Sequence, residues 1–111
     1  MVDYCAKCKK PRESFPEWKS KETYSGLDIH HNPPEFISNY LNESWSGETI
    51  FLCRECHKEL HKRILIIMFK HSTLFNLKNS EYWTWQNIIP SNRKSMIEEI
   101  IKFTREWVNE N

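Results

Sequence analysis

The sequence predicts a small α+β domain: two short strands, a long helix and a helical C-terminal extension, with bound metal supplementing the core. Three observations lead there. Two C-x2-C pairs, Cys5/Cys8 and Cys53/Cys56, lie far apart in the chain. Four of the five histidines fall into two clusters, His30/His31 and His57/His61. A run of apolar residues at helical spacing begins directly after the second cysteine pair. At 111 residues the chain suits one domain, and no repeat or linker asks for a second. It divides into residues 1–71, which hold every cysteine and histidine, and residues 72–111, a helical extension packed on the same domain.

Each element has its own signal. "SGLDIHH" reads as a strand opened by Gly26 and stopped by Pro33 and Pro34, and Pro33 biases Asn32 toward extended backbone. Residues 32–47 form a long connection rich in Asn, Ser and Pro, with one helical turn around "PEFISNYL". "ETIFLC", residues 48–53, is a second strand rich in β-formers. A helix follows from Arg54 to Lys70, placing His57, Leu60, His61, Ile64, Leu65 and Met68 at helical spacing, with its apolar half in the core. A shorter helix runs through "SEYWTWQNI" from Ser80, and Pro90 ends that segment. Ser91 or Asn92 can cap a last helix, whose Met96, Ile97, Ile100, Ile101, Trp107 and Val108 form an apolar stripe read as core.

Composition narrows the class. "ILIIMF" is six residues long, far short of the roughly 20 a membrane span needs, so no membrane partner is expected. The N-terminal residues carry no signal-peptide pattern, so a cytoplasmic chain is expected, and disulfides are disfavoured there. Hydrophobic residues make up 39% of the chain, enough for a core, although a metal staple helps so small a domain. Net charge is only +1, yet it is unevenly spread. Residues 1–21 hold six Lys or Arg against three acids, and residues 54–70 hold five against two. Residues 22–53 contain five carboxylates and no Lys or Arg. A DNA-contacting surface around a cation site has this pattern, and so does an ordinary solvated surface.

The ligand-bearing side chains fall into two sets. Two C-x2-C knuckles far apart in sequence are the usual makings of a closed four-cysteine zinc site, so Cys5, Cys8, Cys53 and Cys56 are expected to share one structural Zn2+. Two disulfides or four buried thiols are the competing reading. Cys56 and His57 are neighbours, about 100° apart around a helix, and do not easily point at one atom. His57 and His61, four apart, stack on one helix face with about 6 Å between Cβ atoms. They lack a third ligand, which "GLDIHHNPP" can supply. Two metals are therefore expected, one held by cysteines and one by histidines. His71 stands apart and reads as a structural histidine.

A strand with paired histidines, a loop, a strand and a helix with two more histidines resembles the HNH endonuclease family, the ββα-metal fold. The form with zinc knuckles is most similar, "LDIHH" and "LCRECHKELH" matching its two halves. The resemblance covers residues 5 to 61, about half the chain. It implies that His30, His57 and His61 bind a catalytic divalent cation (Mg2+, Mn2+, Ni2+ or Zn2+) and that His31 is the general base activating water against a DNA phosphate. Histidine in general titrates near neutrality, as such a base should. In a regular strand His30 and His31 point to opposite faces, so the strand is expected to twist or end at His31. One position departs from the family: where it usually has Asn, at the start of the second strand, this chain has Glu48. Glu48 can accept similar hydrogen bonds and so take part in catalysis, or lean toward the metal. Asn39 and Asn42 in the connecting loop are possible substitutes.

Further candidates carry weaker signals. Strand alternation puts Asp28 on the face of His30, where it can orient that imidazole. Arg54, Lys58, Lys62 and Arg63 lie on the histidine-bearing helix as phosphate contacts or as a solvated face. Trp18 and Trp45 are read as packing at the core edge rather than stacking on bases. The resemblance implies a metal-dependent endonuclease acting on double-stranded DNA. The alternative is a catalytically impaired, zinc-stabilised nucleic-acid-binding module, and a third reading is a zinc hydrolase of small molecules. The C-terminal helices are also a candidate homodimer interface.

Overall fold

The computed structural model describes residues 4–11, 14, 27–34, 37, 48–75 and 80–110. Its sheet has two strands, β1 (Leu27–Asn32) and β2 (Glu48–Cys53), paired antiparallel from Leu27↔Cys53 to Asn32↔Glu48. Helix α1 (Arg54–Lys70) follows β2 without a linking residue. A short helix α2 (Glu81–Gln86), a 3-10 turn (Pro90–Asn92) and helix α3 (Arg93–Asn109) complete the described elements. This is a small mixed α+β arrangement, ββα at its centre. No helix among the described residues is long and apolar enough to cross a membrane.

Local chemistry sets the boundaries. Cys53 ends β2 and also caps α1, its Sγ accepting from the Cys56 backbone N–H at 3.5 Å. Ser80 caps α2, its hydroxyl accepting from the Trp83 N–H at 3.1 Å. Pro90 does not end α2, which stops earlier at Gln86; it occupies the first turn of the 3-10 segment, where a missing N–H costs nothing. Asn92 precedes α3 but makes no side-chain cap bond, because the 3-10 turn already leads into the helix. β1 does not stop at His31. It runs through Asn32, with His30 and Asn32 buried on the inner face and His31 half-buried between them.

The core lies where the sheet, α1 and α3 meet. Leu27 and Leu52 of the sheet join Leu60, Ile64 and Met68 of α1, with Met96, Ile97 and Ile100 of α3 closing the other side. α2 packs on α1 through Trp85, which is 1% exposed. Such a stripe of buried aliphatic residues is what keeps α1 and α3 helical, since propensity alone would not. Polar ties reinforce it. Lys7 donates to the carbonyls of Trp107 (2.5 Å) and Glu110 (2.9 Å), so the first knuckle holds the C-terminal end of α3. His71 bonds Glu99 at 2.9 Å, joining the end of α1 to α3 in the structural role read for it. Of the predicted turn around "PEFISNYL", Ile37 is described and is helical and fully buried. Trp18, Asn39, Asn42 and Trp45 lie outside the described residues.

Candidate metal centre and its surroundings

Cys5 and Cys8 come from a tight turn fastened to the sheet: the Ala6 N–H donates to the Phe51 carbonyl at 2.8 Å, and Lys9 closes the turn with φ 65. Cys53 and Cys56 come from the β2–α1 junction. The four sulfurs lie within 4.8 Å of one another and no disulfide joins them. Cys8 and Cys53 Sγ are 3.9 Å apart. Sulfurs around one tetrahedral zinc, each about 2.3 Å from it, lie about 3.8 Å apart, so the spacing fits a metal and not an S–S bond. Burial pushes the Cys53 and Cys56 thiols up. Burial also works on Cys5, but N–H donors from Cys53, Cys8 and Lys7 outweigh it and bring that thiol down to about 7. A cation among them lets all four thiolates coexist. The cluster is compatible with a structural metal such as zinc.

The second set is built by two elements. β1 delivers His30, α1 delivers His57 and His61 from successive turns, and one ring nitrogen of each lies within 4.8 Å of the others. Ring centroids are 5.4, 5.2 and 4.6 Å apart for His30–His57, His30–His61 and His57–His61. His57 and His61 face each other Nε2 to Nε2 at 3.0 Å. Their Nδ1 atoms face carboxylates, Asp28 Oδ2 at 3.0 Å for His57 and both oxygens of Glu81, at 2.8 and 2.9 Å, for His61.

The carboxylate contacts place the two Nδ1 protons. An ionised carboxylate only accepts, so both Nδ1 atoms must carry the hydrogen and, in neutral rings, both Nε2 atoms present lone pairs. Two lone pairs at 3.0 Å repel unless a proton or a metal cation lies between them. His30 Nε2 is buried and has no hydrogen-bond partner among the described residues. Burial, then the neighbouring His61, His57 and His31 rings, push His30 down to about 3, so its ring is neutral near pH 7. Nitrogens sharing one ion at about 2.1 Å lie about 3.0–3.4 Å apart. The three imidazoles are grouped closely enough to be candidate ligands of one metal ion.

The remaining candidates are placed as follows. Asp28 lies two residues before His30 on β1, but its carboxylate meets His57 rather than His30. His31 sits opposite Thr49 in the ladder, half-buried. Glu48 does not turn toward the histidines; its carboxylate is held by the Arg105 guanidinium of α3 and by Asn32 Nδ2 at 3.4 Å. Arg105 holds the Glu48 carboxyl below its ordinary value, against a small opposing effect of burial and with help from Asn32. Arg54, Lys58, Lys62 and Arg63 are all exposed on α1, Arg63 bonding Glu59 at 3.1 Å. Sequence reasoning missed Glu81. Its only signal is an acid directly after the helix-capping Ser80, which says nothing of His61, 20 residues away. No family model, no curated protein and no solved structure matches the chain.

Proposed function

We propose that this protein is a metal-dependent DNA endonuclease of the HNH kind. One observation carries the reading: three imidazoles converge, two of them locked by carboxylates into the Nδ1–H form, with a fourth histidine next in the strand. A binding module held together by its cysteines has no need of that arrangement. The ββα order and the four-cysteine cluster agree with it.

In this reading His30, His57 and His61 hold the cation through neutral nitrogens. Bound there, a divalent cation neutralises charge on a phosphate and stabilises the leaving oxygen. His31 takes the proton from the attacking water in this reading; it follows the ligand His30 in the chain without being a ligand itself. Asp28 and Glu81 keep the imidazoles of His57 and His61 turned inward. Arg54, Lys58, Lys62 and Arg63 meet the DNA backbone as exposed positive charges.

One observation favours a second reading, a zinc-stabilised nucleic-acid-binding module without the chemistry. Glu48, at the position where the family has Asn, is engaged by Arg105 and Asn32. A supercoiled-plasmid assay with Mg2+, Mn2+ or Ni2+, and with chelator, separates the two. The nuclease nicks in a metal-dependent manner and His31→Ala abolishes it. No nicking with any metal, from protein that retains zinc, leaves the binding module.

A further inference from the structure

Glu81 belongs to neither strand nor the histidine-bearing helix, yet it touches the candidate metal centre. Both its oxygens lie within 2.9 Å of His61 Nδ1, so a single N–H is shared between them. Its place does not depend on that contact. α2 is anchored by buried Thr84 and Trp85 and is capped by Ser80. The Thr84 hydroxyl donates to the Ser80 carbonyl at 2.8 Å. A pre-set helix therefore presents a carboxylate to His61, and Glu81 is itself 24% exposed, with room to be altered.

We infer that Glu81 is a positioning residue for the metal centre: it fixes His61 as the Nδ1–H tautomer and aims His61 Nε2 at His57 and His30. The inference rests on the reading that His30, His57 and His61 hold a divalent cation. It gives the C-terminal segment a chemical part. Asp28, from the sheet, does for His57 what Glu81, from beyond α1, does for His61. Without Glu81 the His61 ring is free to rotate or to carry its proton on Nε2, where it would meet the His57 nitrogen and not a cation. A carboxylate behind the ring also raises its basicity as a ligand.

The test uses the full chain with its cysteines loaded with one equivalent of Zn2+ and histidines labelled with 15N. Calorimetric titration with Ni2+ measures the second site, with His61→Ala locating it. Long-range 1H–15N spectra read the tautomer of His61 before Ni2+ is added. Glu81→Ala is expected to weaken Ni2+ binding roughly 10- to 100-fold and to give His61 an Nε2–H population. Glu81→Gln, which keeps an acceptor without the charge, is expected to fall between, and it carries the test should the alanine variant fail to fold. A purely structural role for Glu81 would change melting temperature and leave the tautomer as it was. Unchanged Ni2+ affinity and an unchanged tautomer in the variants overturn this inference alone. Wild-type protein that binds no Ni2+, or binds it equally after His61→Ala, overturns the metal-site reading and this inference with it.

Discussion

The Nε2 atoms of His57 and His61 face each other at 3.0 Å while each ring turns its other nitrogen to a carboxylate, Asp28 on one side and Glu81 on the other. Sheet, long helix and short helix each contribute one piece of this arrangement. With both rings neutral, the two Nε2 lone pairs point at one small region. Such a region is stabilised by whatever positive charge enters it.

A bound cation should therefore raise stability. An ion that binds the native chain alone contributes about 2.7 kcal/mol when its free concentration is 100 times its Kd. For a domain of this size that is about 10 °C in melting temperature. Ni2+ added to the zinc-loaded protein should give a shift of this order in a calorimetric or dichroism melt, and none in His61→Ala. Equal shifts in both proteins would place the ion elsewhere.

How much of this was legible beforehand depends on range. β2 and α1 keep their predicted limits because their signals are local: β-formers from Glu48 to Cys53, then apolar residues at helical spacing from Arg54 to Lys70. The convergence of Cys5 and Cys8 with Cys53 and Cys56 follows ligand spacing, which carries long-range information in a short motif. The carboxylates do not. Asp28 was expected to serve His30 from strand alternation, but which imidazole it reaches depends on how α1 crosses the sheet. Glu81–His61 and Glu48–Arg105 join residues 20 and 57 positions apart on exposed or half-exposed faces. Nothing in the pattern of either segment encodes such pairings, because packing angles decide them.

Removing a metal held by the four cysteines should unfold the chain. Structural zinc in such sites contributes about 10–16 kcal/mol of apparent binding energy, comparable to or above the 5–15 kcal/mol stability of a whole domain. Here the cluster also ties the N-terminal turn, β2 and the cap of α1 together. Chelation should abolish the helical dichroism signal together with the zinc content, and Cys53→Ala should do so most severely, since it removes both a ligand and the α1 cap. Helical structure that survives complete removal of zinc would contradict this.

Acid should weaken the bond between β2 and α3. The Glu48 carboxyl is held below its ordinary value of 4.5, chiefly by Arg105. A carboxyl whose folded value lies below its unfolded one contributes stability above the unfolded value, and that contribution is lost as pH falls through the folded value. The melting-temperature gap between wild type and Arg105→Gln should thus be constant from neutral pH down to about 4.5 and shrink below it. The gap should be small and salt-sensitive, because both side chains are substantially exposed. A gap that persists when carboxylates are fully protonated would show that Arg105 acts by packing instead.

Asn32 gives the sharpest test of the inner face of β1. It is 3% exposed, its Nδ2 donates to the Ile101 carbonyl at 3.2 Å and to Glu48 at 3.4 Å, and its Oδ1 is buried without a partner among the described residues. Asn32→Ala removes both donors and the orphaned acceptor at once, so its cost should be modest, about 1 kcal/mol in urea unfolding. Asn32→Asp keeps the shape but replaces the donors with acceptors, setting a second carboxylate against Glu48 and the Ile101 carbonyl. A buried unpaired charge of this kind should cost about 3 kcal/mol or more at neutral pH. Burial and the nearby Glu48 raise the folded pKa of the new carboxyl above its unfolded value. The penalty is then fully present above the folded value and is relieved as pH falls through it. Denaturation midpoints should rank wild type, alanine, aspartate at pH 7, with the aspartate deficit narrowing at pH 5. Equal deficits for the two variants at both pH values would mean that Nδ2 holds neither partner in solution.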